Sequence, residues 1–223
     1  DMAQRTGALK HGAAGFLYGL GEEGVPTAQL LAPLKPKITV QKAPDGMQHP
    51  NGDALSVVET FIEAGGEQVQ VYLQDLYALW PYEFDNIDNY IKIVRDAAKK
   101  IKNSRYANYF VYVPFNEPDW IWYEGMDRDE GVQNRFFNDW LTAYNAIKET
   151  DPGARIAGPN CAEYRPYFYE RFVAFCRENN CMPDIITWHE LQEDKLKAFS
   201  EHYDHFRTLE KTYGVGEHEI AIN

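Results

Sequence analysis

Short β-rich runs alternate with longer amphipathic segments along the chain, and this alternation limits the fold more than any other feature of the sequence. Strands are predicted at Phe16–Leu20, Lys37–Lys42, Val69–Leu73, Tyr109–Phe115, Arg155–Gly158, Asp184–His189 and Glu219–Asn223. A brief helix over Ala28–Leu34 is stopped by Pro36, and a second, capped by Asp53, runs to Ala64 and closes at Gly65-Gly66. Tyr90, Ile91, Val94, Ala97, Ala98 and Ile101 form the one-faced stripe of a helix laid on a sheet. Phe137, Trp140, Leu141, Tyr144 and Ile147 mark the next helix, which ends near Asp151-Pro152-Gly153. Tyr167–Cys176 and the Phe199, Tyr203, Phe206 stripe give two more.

Strand–helix repetition of this kind predicts a parallel sheet with helices outside it, in a doubly wound sheet or a closed barrel. No G-x-G-x-x-G follows the first strand, so the dinucleotide fingerprint is missing. Polar and aromatic residues gather where strands end, which is where barrels build their sites. The expected fold is therefore α/β: one (β/α)8 TIM barrel over residues 1–223, incomplete at the C-terminus because the chain stops in its seventh strand. Two open sheet edges would follow, and they imply a piece of a longer polypeptide.

With 22 Lys+Arg against 34 Asp+Glu and a net charge of −12, the chain has little from which to build a basic face, so nucleic acid is not an expected partner. A neutral ligand fits better, and the 14% aromatic content suits sugar rings that stack on Trp and Tyr. No apolar run approaches the ~20 residues of a membrane span, and no basic-then-apolar leader opens the chain. Cys176 and Cys181 are close enough to bridge across a turn, which would leave Cys161 free, but free thiols are equally allowed. No Cys/His cluster has zinc spacing.

The sharpest motif is Phe115-Asn116-Glu117-Pro118, where the fourth strand runs into its loop. Strand ends project into a barrel mouth, and Pro118 stiffens the turn. A carboxyl held there near Trp120 and Trp122 is expected to be partly desolvated, with its pKa raised as a general acid requires. Asn116 is placed to donate to a sugar hydroxyl. An Asn-Glu-Pro at this position resembles the acid/base motif of clan A glycoside hydrolases, and the chain looks most like family 39 or a close relative. The resemblance implies a retaining glycosidase with Glu117 as acid/base and Asn116 as partner of the 2-hydroxyl. It also implies a nucleophilic Glu at the end of the seventh strand, where Glu219-Ile220-Ala221-Ile222-Asn223 would lead directly into it.

Glu190, in Thr187-Trp188-His189-Glu190-Leu191 after the sixth strand, is the best internal alternative for the second carboxylate. His189 is expected to orient a carboxylate or touch substrate. Glu219, at a strand start, falls on the stability face and is discounted. Gln41 and Lys42 after the second strand, and Gln74, Asp75, Tyr77 and Trp80 after the third, are expected to line the pocket. Lys42 and Asp75 either grip sugar hydroxyls or pair with each other. Tyr164 and Trp188 complete the candidate substrate-binding set with Trp120, Trp122 and Glu190. Asp127, Asp129 and Glu130 lack the spacing of a calcium loop and read as a solvated turn, as does His49 beside Pro50.

The expected activity is retaining cleavage of glycosidic bonds in oligo- or polysaccharides, needing no metal or organic cofactor. The alternative is a carbohydrate-binding barrel, or an inactive fragment. A barrel acting on phosphorylated metabolites would need a Gly-rich phosphate loop that the sequence does not show.

Overall fold

A computed structural model describes residues 14–48, 51–191 and 193–223, so His49 and Pro50 lie outside the described residues. Seven strands run in the order of the chain, every neighbouring pair parallel: β1 (Gly15–Leu17), β2 (Ile38–Lys42), β3 (Gln68–Tyr72), β4 (Phe110–Val113), β5 (Arg155–Cys161), β6 (Ile185–Trp188) and β7 (Glu219–Ile222). Helices α1 (Ala28–Leu31), α2 (Ala54–Glu63), α3 (Ile87–Lys102), α4 (Glu130–Thr150), α5 (Pro166–Asn179) and α6 (Glu193–Tyr213) connect them. The architecture is an incomplete (β/α)8 barrel.

Alternation along each strand divides the apolar residues into two layers. Val40, Tyr72, Val111, Val113, Ala157, Ile185 and Ala221 point inward and meet as one cluster. Contact between residues of β2 and β7 in a single cluster requires the sheet to curl. Asn223, just past β7, donates across the ring to Gln70 of β3 at 3.2 Å. The opposite faces carry the larger core between strands and helices, with Phe61, Val94, Phe136, Trp140 and Phe172 all fully buried.

Local chemistry sets the element ends. Asp53, Asn86 and Asp129 each accept a backbone N–H from the first turn of the helix that follows, satisfying donors the helix itself cannot pair. The first strand is shorter than expected, because Tyr18 turns left-handed at φ 53°. The fourth stops at Val113 because Pro114 has no N–H for the ladder. The fifth is longer than expected and runs through Pro159 to Cys161, the ladder shifting register between them. A Cβ on Gly158 would lie 2.4 Å from the Trp140 ring, so β5 approaches α4 more closely than any larger residue allows. Cys161, Cys176 and Cys181 are buried free thiols. Among the described residues no helix is long and apolar enough to cross a membrane.

Candidate active site

Phe115 anchors the segment that carries the acidic residue. It is fully buried, and its ring packs within 6.5 Å of those of Tyr90, Trp122, Tyr123, Phe136 and Trp140. Beyond it, Glu117 adopts φ 49°, a left-handed conformation unusual for a residue with a long side chain. Its N–H donates to the Asn160 carbonyl at 2.9 Å, and Asn160 is itself left-handed at φ 62°. The ends of β4 and β5 thus hold each other. Asp119 reinforces the join by accepting the Ala162 N–H at 2.8 Å.

Among the described residues the Glu117 carboxyl has two partners. Oε1 lies 2.8 Å from Nδ1 of His189, which β6 delivers from 72 residues away, and Oε2 accepts the Trp120 indole N–H at 2.9 Å. Burial pushes the pKa of this carboxyl up, but the hydrogen bond and charge of His189, with the Trp120 bond, outweigh it and hold the group below the ordinary carboxylate value. The expected upward shift is therefore corrected: desolvation is present and is overcome by a partner that local sequence does not reveal. His189 Nε2 faces the Tyr72 hydroxyl at 3.5 Å.

A polar network surrounds this pair. Asp75 accepts from Tyr18 at 2.5 Å and Tyr82 at 2.7 Å, and burial together with Asp75 keeps both phenols well above their usual pKa, as protonated donors. Asn116 donates to the Tyr82 oxygen at 3.3 Å and accepts from Asn160 at 2.9 Å, while its N–H is held by Gln74. Asn223 donates to Asn160 at 3.1 Å. Lys42 is buried at the end of β2 with no hydrogen-bond partner for its ammonium among the described residues. Burial lowers its pKa, and the charges of Asp53 and Asp75 offset part of that. No ion pair joins Lys42 to Asp75 among the described residues.

Two cavities open beside Glu117. The inner one, about 510 Å³ above the barrel axis, is walled by Tyr18, Tyr72, Tyr82, Asn116, His189 and Asn223, with Trp80 at its rim. The outer one, about 460 Å³, lies over the loops after β4 and β5 and includes Asp119 and Trp120. Trp80 and Trp120 are 45% and 53% exposed and meet edge to face at 6.2 Å on the divide.

Of the residues singled out from sequence, Asn116, Glu117, His189, Trp80 and Trp120 come together here, with Lys42 and Asp75 beneath. Tyr77 and Trp122 do not line either cavity. They pack on Tyr90 of α3, Tyr77 stacked at 6.2 Å and Trp122 edge-on at 4.9 Å. Tyr164, Trp188 and Glu190 sit behind β6: Tyr164 stacks on Tyr169 at 4.3 Å, and Glu190 accepts from Trp188 at 2.8 Å and pairs with His202 at 2.6 Å. Glu219 is at the opposite end of the barrel, paired with Arg155 at 2.9 Å. Asp129 caps α4. Sequence reasoning missed Tyr18, Tyr72, Tyr82, Asp119, Asn160 and Asn223. For Asn160 a signal existed, since it is an asparagine near the C-terminal end of β5, as Asn116 is one shortly after the end of β4. Among the described residues no group of His, Cys, Asp and Glu is placed to hold a metal ion.

No family model matches the chain. It is 30% identical to a 3-O-β-L-arabinopyranosyl-α-L-arabinofuranosidase of Bifidobacterium pseudocatenulatum, the match covering 100% of this chain and 28% of that protein. It is also 30% identical to a 3-O-α-D-galactosyl-α-L-arabinofuranosidase of Bifidobacterium longum subsp. longum, covering 100% of this chain and 24% of that protein. The chain therefore spans about a quarter of the length of the curated relatives it matches. Among solved structures, N2152 from Neocallimastix frontalis superposes with a TM-score of 0.82 at 32% identity, over 96% of this chain and 52% of that one. A glucosidase from Croceicoccus marinus shares the fold at a TM-score of 0.59 and 13% identity, over 92% of this chain and 51% of that one. The chain thus has a glycoside-hydrolase barrel fold, similar throughout its length to one segment of two arabinofuranosidases.

Proposed function

We propose that this chain forms the catalytic barrel of a retaining glycosidase of the family 39 type, acting on α-L-arabinofuranosyl linkages in oligo- or polysaccharides, with Glu117 as acid/base. The observation that carries the reading is the Glu117 carboxyl, held between His189 and Trp120 on the wall of the cleft above the barrel axis. The names of the two arabinofuranosidases supply the sugar class.

In the free site the contacts with His189 and Trp120 keep Glu117 below its ordinary pKa and therefore ionised. A sugar that fills the inner cavity displaces water and strengthens the desolvation that already favours the neutral acid, so that Glu117 takes up a proton. Glu117 then protonates the glycosidic oxygen as a second carboxylate attacks the anomeric carbon through an oxocarbenium-like transition state. Water resolves the glycosyl-enzyme with Glu117 as base. Asn116 has one amide N–H directed at Tyr82 and offers the other to the 2-hydroxyl. The second carboxylate is expected directly after Asn223, where β7 runs out at the floor of the cleft. Glu190, sealed behind β6, is not available for the role.

The test is a panel of aryl glycosides and arabinose-containing oligosaccharides, run on the full-length protein and on Glu117→Gln. An arabinofuranoside is expected to be the best substrate, and the variant is expected to lose about a thousandfold or more on unactivated linkages. Unchanged turnover in the variant removes Glu117 from the mechanism. A second reading, a barrel that binds carbohydrate without cleaving it, draws on the low pKa of Glu117. Calorimetric binding of arabino-oligosaccharides with no product formed would select it.

A further inference from the structure

Glu117 lines both cavities rather than one, and among the described residues Leu191 is the other one shared between their walls. A general acid delivers its proton to the oxygen that joins two sugar units. If Glu117 has that role, the scissile bond crosses its carboxyl, with one unit on each side. The inner cavity receives the ends of β3, β4, β6 and β7, so it is the side on which a strand-end carboxylate can reach an anomeric carbon. The outer cavity receives loops instead. Its volume, about 460 Å³, lies in the range of sites that enclose small ligands.

We propose that the outer cavity seats the leaving group of the cleaved bond and selects a neutral sugar there over a uronic acid. This inference rests on the glycosidase reading of the same site. Trp120 supplies an exposed indole face as a wall, and its N–H fixes the acid at the boundary. The charges are unbalanced. Each arginine of the cavity already has a neighbouring carboxylate: Arg128 lies 3.7 Å from Asp127, and Arg165 pairs with Glu163. Asp119 and Glu124 remain as further negative groups beside Glu117. Asp119, pushed up to about 6 chiefly by burial, is still ionised at neutral pH. A carboxylate on the incoming sugar therefore meets net repulsion in a half-enclosed space, where charges are screened less than in bulk water.

The experiment uses the full-length protein and two matched glycosides that release the same sugar, one with a neutral hexose as leaving group and the other with the corresponding uronic acid. The wild type is expected to favour the neutral one about tenfold in kcat/KM. The double variant E124Q/D127N, which removes two exposed carboxylates and leaves Arg128 without its neighbour, is expected to bring that ratio to about one or below. Raising ionic strength from about 0.05 M to about 1 M should narrow the wild-type ratio as well. The ratio is the readout, so a general loss of activity does not imitate the result. A ratio near one in the wild type, or a wild-type preference untouched by the double variant, overturns the proposal while leaving the glycosidase reading in place. Failure of the wild type to hydrolyse either glycoside, or the glycosyl fluoride of the same sugar, overturns both.

Discussion

Two carboxylate–imidazole–indole sets stand back to back at the end of β6. Glu117 has His189 at 2.8 Å and the Trp120 N–H at 2.9 Å; Glu190 has His202 at 2.6 Å and the Trp188 N–H at 2.8 Å. Chemically they are near copies, and both carboxylates are buried. They differ in what lies beyond them. Glu117 faces two cavities, whereas Glu190 lines neither and is closed in by Trp188 and His202, with Tyr164 stacked on His202 at 4.8 Å. His189 and Glu190 are sequence neighbours, and strand alternation sends one into the barrel and the other behind it. On the proposed reading, like groups serve a reaction on one side of a strand and hold a helix on the other, and access separates them.

The comparison can be broken most directly by exchanging the losses. Glu117→Gln should cost activity with little change in melting temperature. Glu190→Ala, which strands His202 and the buried Trp188 N–H, should cost about 3–5 kcal/mol of stability. Urea unfolding of both variants beside their turnover reads this out. A Glu190→Ala protein that is as stable as wild type yet inactive would reverse the assignment.

Trp188→Phe comes next in size. It removes a donor to a buried carboxylate and should destabilise by about 1–3 kcal/mol. Trp120→Phe removes the matching bond at the exposed indole and should act mainly on rate. Equal effects on stability from the two substitutions would erase the distinction.

The smallest effect concerns pH. His189→Asn removes the partner that holds Glu117 low, leaving burial as the dominant influence, so the carboxyl should titrate at higher pH than in wild type. Because the folded pKa of Glu117 is depressed, its contribution to stability is present above the unfolded carboxylate value and is lost as pH falls through the folded one. The variant should lose that acid-side slope. Following the carboxyl carbon by NMR through a titration gives the direction, and a downward move would contradict the role of His189.

These pairings also mark where the sequence stops being legible. The strand and helix order could be read because apolar periodicity is local, and Asn116-Glu117-Pro118 could be read because a proline at a strand end fixes where its neighbours point. Which member of His189-Glu190 faces inward could not, since a shift of one residue in register exchanges them. The pKa of Glu117 depends on a residue 72 positions away. Trp80 and Trp122 follow strand ends in similar contexts, yet one reaches the rim and the other fills the space beside Tyr90, a choice made by packing rather than spacing. Asp75 pointed to a ligand contact, but its partners among the tyrosines include Tyr18, 57 positions earlier.

The left-handed backbone at Glu117 has a consequence of another kind. Such a conformation costs a residue with a Cβ about 1 kcal/mol or more and costs glycine almost nothing. Substitution to glycine would relax the turn but delete the carboxyl together with its bonds to His189 and Trp120. If Glu117 is the acid/base, the residue is held for turnover against the preference of its own main chain.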